Sequence, residues 1–173
     1  MEFRHKNIRL SLDRYVGCEW YFVTFCCENR EPVFRQGAYV ELFLNHVRIE
    51  AAAHGIAIHA YCLMPDHVHL LVQGVNPSSD LLRFLKLLKQ KTGFKYKQKT
   101  GKQLWQKKSY DRVLRSGDSA EAVAWYIWMN PVRRGLCRKV EEYDFSGSFT
   151  EAKARLNPPI QSWTPPWKGS APT

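Results

Sequence analysis

Two pairs of side chains in this 173-residue sequence have types and spacings suited to chemistry. The first is His67-Val68-His69. On a strand, residues i and i+2 face the same way, so both imidazoles project from one face, roughly 7 Å apart at the backbone. Two imidazoles so placed can converge on one divalent ion, with further ligands coming from elsewhere. Taken alone, the pair is better read as two histidines on the solvated face of a half-buried strand. The second is Tyr126 and Asn130, four residues apart and on one line of a helix. A tyrosine one turn before an amide sets a phenol beside a possible metal ligand. By spacing alone, Tyr126 also reads as core edge. Asn130 reads as a helix stop, since Pro131 disfavours the α conformation in the residue before it.

These pairs need a sheet and helices to hold them. Residues 17–27 (GCEWYFVTFCC) are aromatic and β-branched, which predicts a buried strand. Between Gln36 and His54 apolar residues recur at helical spacing, and Gly55 supplies the stop. Runs 56–63 and 67–73 flank Met64-Pro65-Asp66 and read as a hairpin. His59 on the first of these runs reads as structural.

A second helix begins near Ser79 or Asp80, with 81, 82, 85 and 88 as its apolar stripe. A strand around 103–107 or 110–115 follows, then a third helix from Ser119 whose core stripe is Ala120, Val123, Ala124 and Ile127. The order strand, helix, strand, strand, helix, strand predicts an α+β, ferredoxin-like split βαβ. That fold is an antiparallel sheet with helices on one face and the other face free for a partner. Residues 1–150 are expected to form this domain, and 151–173 a Pro-rich C-terminal tail.

The chain carries 26 Lys and Arg against 16 Asp and Glu, a formal charge of +10, which points to a polyanionic partner. Ten basic residues and no acidic one fall between Arg83 and Lys108. Aromatic residues are interleaved, a combination that stacks bases while neutralising phosphates. Arg83, Lys86, Lys89, Lys91, Lys95, Lys97, Trp105, Arg112, Arg133 and Arg134 are the expected DNA contacts. No apolar run is long enough to cross a membrane, and the N-terminus lacks a signal-peptide stretch. The expectation is a soluble cytoplasmic, nucleoid-associated protein. The cysteines at 18, 26, 27, 62 and 137 are odd in number with no CxxC pair, against structural zinc or a disulfide framework.

Taken together, these segments resemble the REP-associated tyrosine transposases, single-tyrosine nucleases with a histidine-hydrophobic-histidine (HUH) motif. The resemblance rests on Trp20-Tyr-Phe-Val-Thr-Phe25, Arg30, Tyr61-Cys-Leu-Met-Pro-Asp-His-Val-His-Leu-Leu-Val72, Leu104-Trp-Gln106, Tyr110-Asp-Arg112 and Tyr126-Ile-Trp-Met-Asn-Pro-Val-Arg-Arg-Gly-Leu136. It covers about residues 15–150 and implies the same ferredoxin-like fold. It further implies His67, His69 and Asn130 as metal ligands, Tyr126 as nucleophile and Mg²⁺ or Mn²⁺ as cofactor. The implied substrate is single-stranded or hairpin DNA at a repeated extragenic palindrome (REP), cleaved through a 5′-phosphotyrosine. Two alternatives stand beside it: a non-catalytic hairpin DNA or RNA binding module, and another HUH enzyme of the replication-initiator or relaxase type. Monomer and homodimer are both compatible with the sequence.

Overall fold

The computed structural model describes residues 12–150, 158–160 and 162–165. Six elements carry the frame: β1 (Trp20–Cys27), α1 (Gly37–His54), β2 (Ile56–Met64), β3 (His67–Gly74), α2 (Leu81–Thr100) and β4 (Trp105–Val113). Then come α3 (Ala120–Trp128), a short α4 (Asn130–Arg133) and β5 (Ser146–Gly147). The sheet order is β4-β1-β3-β2-β5, with every pair antiparallel. α1 leaves β1 and returns as β2 with β3 filed between them, which is the split βαβ expected from the order of elements.

Local signals set the element ends. α1 stops at Gly55, whose φ of 63° is costless only for glycine and whose N–H bonds Ala51. The Asp80 carboxylate caps α2 by accepting the N–H of Arg83 at 2.9 Å. Gly101, again left-handed, ends that helix. Ser119 caps α3 through the N–H of Ala122. The segment before β1 approaches the end of β3 closely: a Cβ on Gly74 would lie 1.8 Å from the carbonyl oxygen of Gly17.

Both faces of the sheet are covered. Tyr21, Val23 and Phe25 of β1 and Val68, Leu70 and Val72 of β3 pack under α1 and α2. The opposite face, expected to be free, carries α3 instead: Val123, Ile127 and Trp128 bury against Phe22, Cys62 and Leu71. Each is fully buried, which contributes roughly 1.5–3 kcal/mol per side chain. The Trp128 indole also donates to the Gly147 carbonyl at 3.0 Å, tying α3 to β5.

Two details depart from the sequence reading. The α2 stripe runs 81, 84, 85 and 88, with Leu82 exposed, because the i+3 and i+4 neighbours of Leu81 share its face while Leu82 lies about 100° round the helix. The two candidate strand segments after α2 are one strand, Trp105–Val113, with a register shift opposite Phe25 and Cys27. Among the described residues no helix is long and apolar enough to cross a membrane. The five cysteines are free thiols. Much of the segment expected as tail lies outside the described residues.

Candidate active site

β3 brings His67 and His69 onto the α3 face of the sheet, the face of Leu71, and buries both. Burial removes the solvated-face alternative. Their Nε2 atoms stand 3.1 Å apart. Behind each ring, Nδ1 has its own partner: Asp66 Oδ1 at 2.6 Å for His67, Thr24 Oγ1 at 2.8 Å for His69. Thr24 reaches His69 because β1 pairs with β3 in the register Thr24 to His69. With each Nδ1 engaged, both Nε2 atoms are turned toward one point, the arrangement that partners behind metal-binding imidazoles produce.

Burial lowers the pKa of His67, and the neighbouring Asp66 only partly opposes that shift. The ring is therefore biased toward the neutral form that binds metals. Burial would raise the Asp66 carboxyl, but hydrogen bonding and charge from His67, with Arg30 adding to them, bring it below the usual range. Arg30 reaches Asp66 Oδ2 at 3.3 Å.

α3 positions the second pair. Tyr126 is buried with its ring edge-on to Phe22, at 6.2 Å between centroids, and Phe22 also stacks on His69 at 5.5 Å. One phenylalanine thus spaces the phenol from the imidazoles. Asn130 was expected on the same helix as Tyr126. It is instead the first residue of α4, one residue after α3 ends. Met129 keeps right-handed backbone between them, so the line of the helix continues.

Pro131 has no N–H to give the Ile127 carbonyl, and the Asn130 side-chain amide supplies it, donating to Ile127 and Tyr126 oxygens at 3.1 Å each. With the nitrogen so committed, Oδ1 is the atom of this amide left to act as a ligand. Arg133 donates to the Tyr126 carbonyl at 2.8 Å and lays its guanidinium over the phenol ring, 4.2 Å from the centroid. The charge of Arg134 is also felt at His67. Trp163 from the C-terminal segment packs edge-on to Tyr126 at 5.1 Å and donates to Asp118 Oδ1 at 3.1 Å.

The residues expected to meet DNA divide. Arg83, Lys86, Lys95 and Lys97 are exposed on α2, across the sheet from His67 and His69 rather than beside them. Lys89 is bound inward, donating to the Gln106 carbonyl at 2.8 Å. Lys91 pairs with the buried carboxylate of Glu50. Trp105, expected to stack bases, is a core residue: its ring packs against Phe25, Phe34 and Phe43, and its N–H bonds Thr92 at 2.9 Å. No face of that indole is left for a base. Arg112 pairs with Asp118 at 3.1 Å, on the face of Phe22, while one of its terminal nitrogens, Nη1, is buried without a partner.

Sequence reasoning gave Thr24 and Phe22 no role, and for Trp163 it left open whether the tail packs on the domain or over the site. Asp66 carried a signal, since a carboxylate beside a histidine can reach its Nδ1. The others become neighbours only through strand register and the path of the tail. No group of three or more His, Cys, Asp or Glu forms a metal centre among the described residues. A divalent ion here needs a different third donor, and an amide oxygen is compatible with two neutral imidazoles.

An α+β split βαβ with an HxH strand on one face and a Tyr-x-x-x-Asn segment laid over it defines the class of protein. The family model described as Transposase IS200 like matches residues 17–130, and the chain belongs to that family of DNA-processing enzymes. It is 24% identical over 151 residues to a Haemophilus influenzae protein named as a REP-associated tyrosine transposase, covering 80% of this chain and 84% of that one. Its fold is similar to that of a REP-associated tyrosine transposase solved bound to a REP hairpin, at a TM-score of 0.68 and 20% identity. That match covers 82% of this chain and 81% of the other.

Proposed function

We propose that this protein is a metal-dependent endonuclease and strand transferase that cleaves and rejoins single-stranded DNA at REP hairpins. His67, His69 and Asn130 would hold Mg²⁺ or Mn²⁺, and Tyr126 is the nucleophile. The hairpin substrate is carried over from the relatives' descriptions. The observation that carries the reading is the buried pair of Nε2 atoms 3.1 Å apart, backed by Asp66 and Thr24. A surface HxH pair in a binding module has no need of such backing.

A bound divalent ion supplies charge that polarises the scissile phosphate and offsets its developing negative charge. The other steps belong to the chain. A phenol is a weak nucleophile until it loses its proton, so Tyr126 must be deprotonated before it attacks. Arg133, over its ring and bonded to its carbonyl, holds the phenol in place. Phenolate attack forms the tyrosyl O–P bond and breaks the bond to the 3′ oxygen, which leaves as a hydroxyl after taking a proton. The 5′-phosphotyrosine keeps one phosphodiester's worth of bond energy, so a 3′-hydroxyl can reverse the step and rejoin strands without ATP.

The test is an end-labelled single-stranded hairpin incubated with the protein and Mn²⁺. Wild type should give a covalent adduct that survives denaturation. Its absence under conditions where the hairpin binds would leave the non-catalytic binding module as the better reading.

A further inference from the structure

The two candidate ligands are backed by groups of different chemistry. Asp66, behind His67, is a carboxylate and only accepts hydrogen bonds. Thr24, behind His69, is a hydroxyl and both donates and accepts. At 3.1 Å the two Nε2 atoms need one proton between them when no cation is there. Asp66 draws the proton of neutral His67 to Nδ1, leaving a lone pair on its Nε2. The shared proton then belongs to His69 Nε2, and His69 Nδ1 accepts from the Thr24 hydroxyl. For both lone pairs to face one cation, His69 gives up its Nε2 proton and gains one at Nδ1. The Thr24 hydroxyl rotates from donor to acceptor, and the ring stays neutral throughout.

We infer that Asp66 and Thr24 are two unlike positioning residues: Asp66, steadied by Arg30, locks His67 as a permanent ligand, and Thr24 lets His69 change tautomer as a divalent cation enters. The inference rests on the metal reading above. Arg30 reaches Asp66 from a strained turn. Asn29 and Arg30 both adopt left-handed backbone, with φ of 51° and 56°. Glycine would adopt that conformation without strain, whereas an arginine there carries about 1–2 kcal/mol. The strained turn delivers the guanidinium to Asp66. Backbone bonds from Cys27 to the Asp66 carbonyl at 2.9 Å, and from Phe34 to the Pro65 carbonyl at 3.0 Å, hold the β2–β3 turn against the same segment.

Imidazole ¹⁵N NMR on the full chain, without metal and with Zn²⁺ as a diamagnetic probe, tests the tautomers. Metal-free protein should show His67 protonated on Nδ1 and His69 on Nε2, and Zn²⁺ should move the His69 proton to Nδ1. Mn²⁺ affinity, read by electron paramagnetic resonance, should fall about 10–100-fold in Asp66→Asn, whose amide can donate to Nδ1 and release the lock. Thr24→Val should weaken Mn²⁺ about as much, Thr24→Ser should restore it, and Arg30→Gln should have a smaller effect. Wild-type affinity and tautomers in Asp66→Asn would overturn the inference, as would His67 protonated on Nε2 in metal-free wild type. Wild-type protein that binds neither Mn²⁺ nor Zn²⁺ would overturn the metal reading instead, with the metal-free tautomers still deciding the role of Asp66.

Discussion

The two faces of the sheet bury polar groups in different ways. Under α1 and α2 the core is almost wholly apolar, and its polar members serve packing. Thr92 satisfies the Trp105 indole, and Glu50 is matched by Lys91. On the α3 face, where the smaller apolar cluster sits, His67, His69 and Asn130 are all buried. Arg112 on that face keeps a buried nitrogen without a partner. Burying polar atoms without full compensation lowers stability, so a face that collects them is built for something other than holding the fold. One face is packed almost wholly with apolar side chains, and the other gathers buried polar ones.

Breaking chemistry without touching the fold should give the largest effect. Tyr126→Phe should lose the covalent DNA adduct entirely while keeping its unfolding midpoint and its hairpin binding. An undiminished adduct would remove Tyr126 as nucleophile and turn attention to Tyr110, which lies on the same face opposite Thr24.

The converse variant is Trp105→Ala. Loss of this buried indole should lower stability by about 3–5 kcal/mol in denaturant unfolding, while the folded fraction still forms the adduct. A selective loss of cleavage with unchanged stability would mean that the two faces are not separable.

Binding should respond more gently. Replacing Arg83, Lys86, Lys95 and Lys97 together with Gln should flatten the log-affinity against log-salt slope by about 0.7–0.9 per phosphate contact removed. Lys89→Gln and Lys91→Gln should leave that slope in place, because both ammonium groups already have partners, the Gln106 carbonyl and the Glu50 carboxylate. A larger slope change from the Lys89 and Lys91 variants than from the fourfold variant would shift the DNA path away from the outer side of α2.

The smallest effect is expected at alkaline pH. Burial, with Glu19 adding to it, pushes the Tyr21 phenol up to about 12 from its ordinary 10. A folded-state pKa above the unfolded value means stability that is complete below about pH 10 and fades as pH rises toward 12. Tyr21→Phe should remove part of that alkaline loss in unfolding titrations. Identical alkaline profiles for the two proteins would sink the assignment.

Much of the frame could be read before the structure. Alternation in 67–73, the Pro-Asp turn, Asp80 and Gly55 marked β3, the hairpin and two helix ends, since those signals act within a few residues. Leu82 and Phe84 were harder. Both are apolar, and only packing against the sheet decides which one is buried. Trp105 was misread for a related reason. Basic neighbours suggested an exposed aromatic, but its alternation on β4 points it at Phe25 and Phe43. Lys89 and Lys91 looked like free charges because their partners, the Gln106 carbonyl and Glu50, are distant in sequence.

The sequence by itself determined which residues are candidates for chemistry, the split βαβ order and the excess of positive charge. Each of these follows from residue type and short-range period. Only the tertiary structure decided that α3 closes the second face, that Thr24 stands behind His69, and that Trp163 rests on Tyr126. It also decided that the basic side of α2 faces away from the histidines. These are relations between segments tens of residues apart. Strand register and the side of the sheet on which a helix lands set them, and no local pattern encodes either.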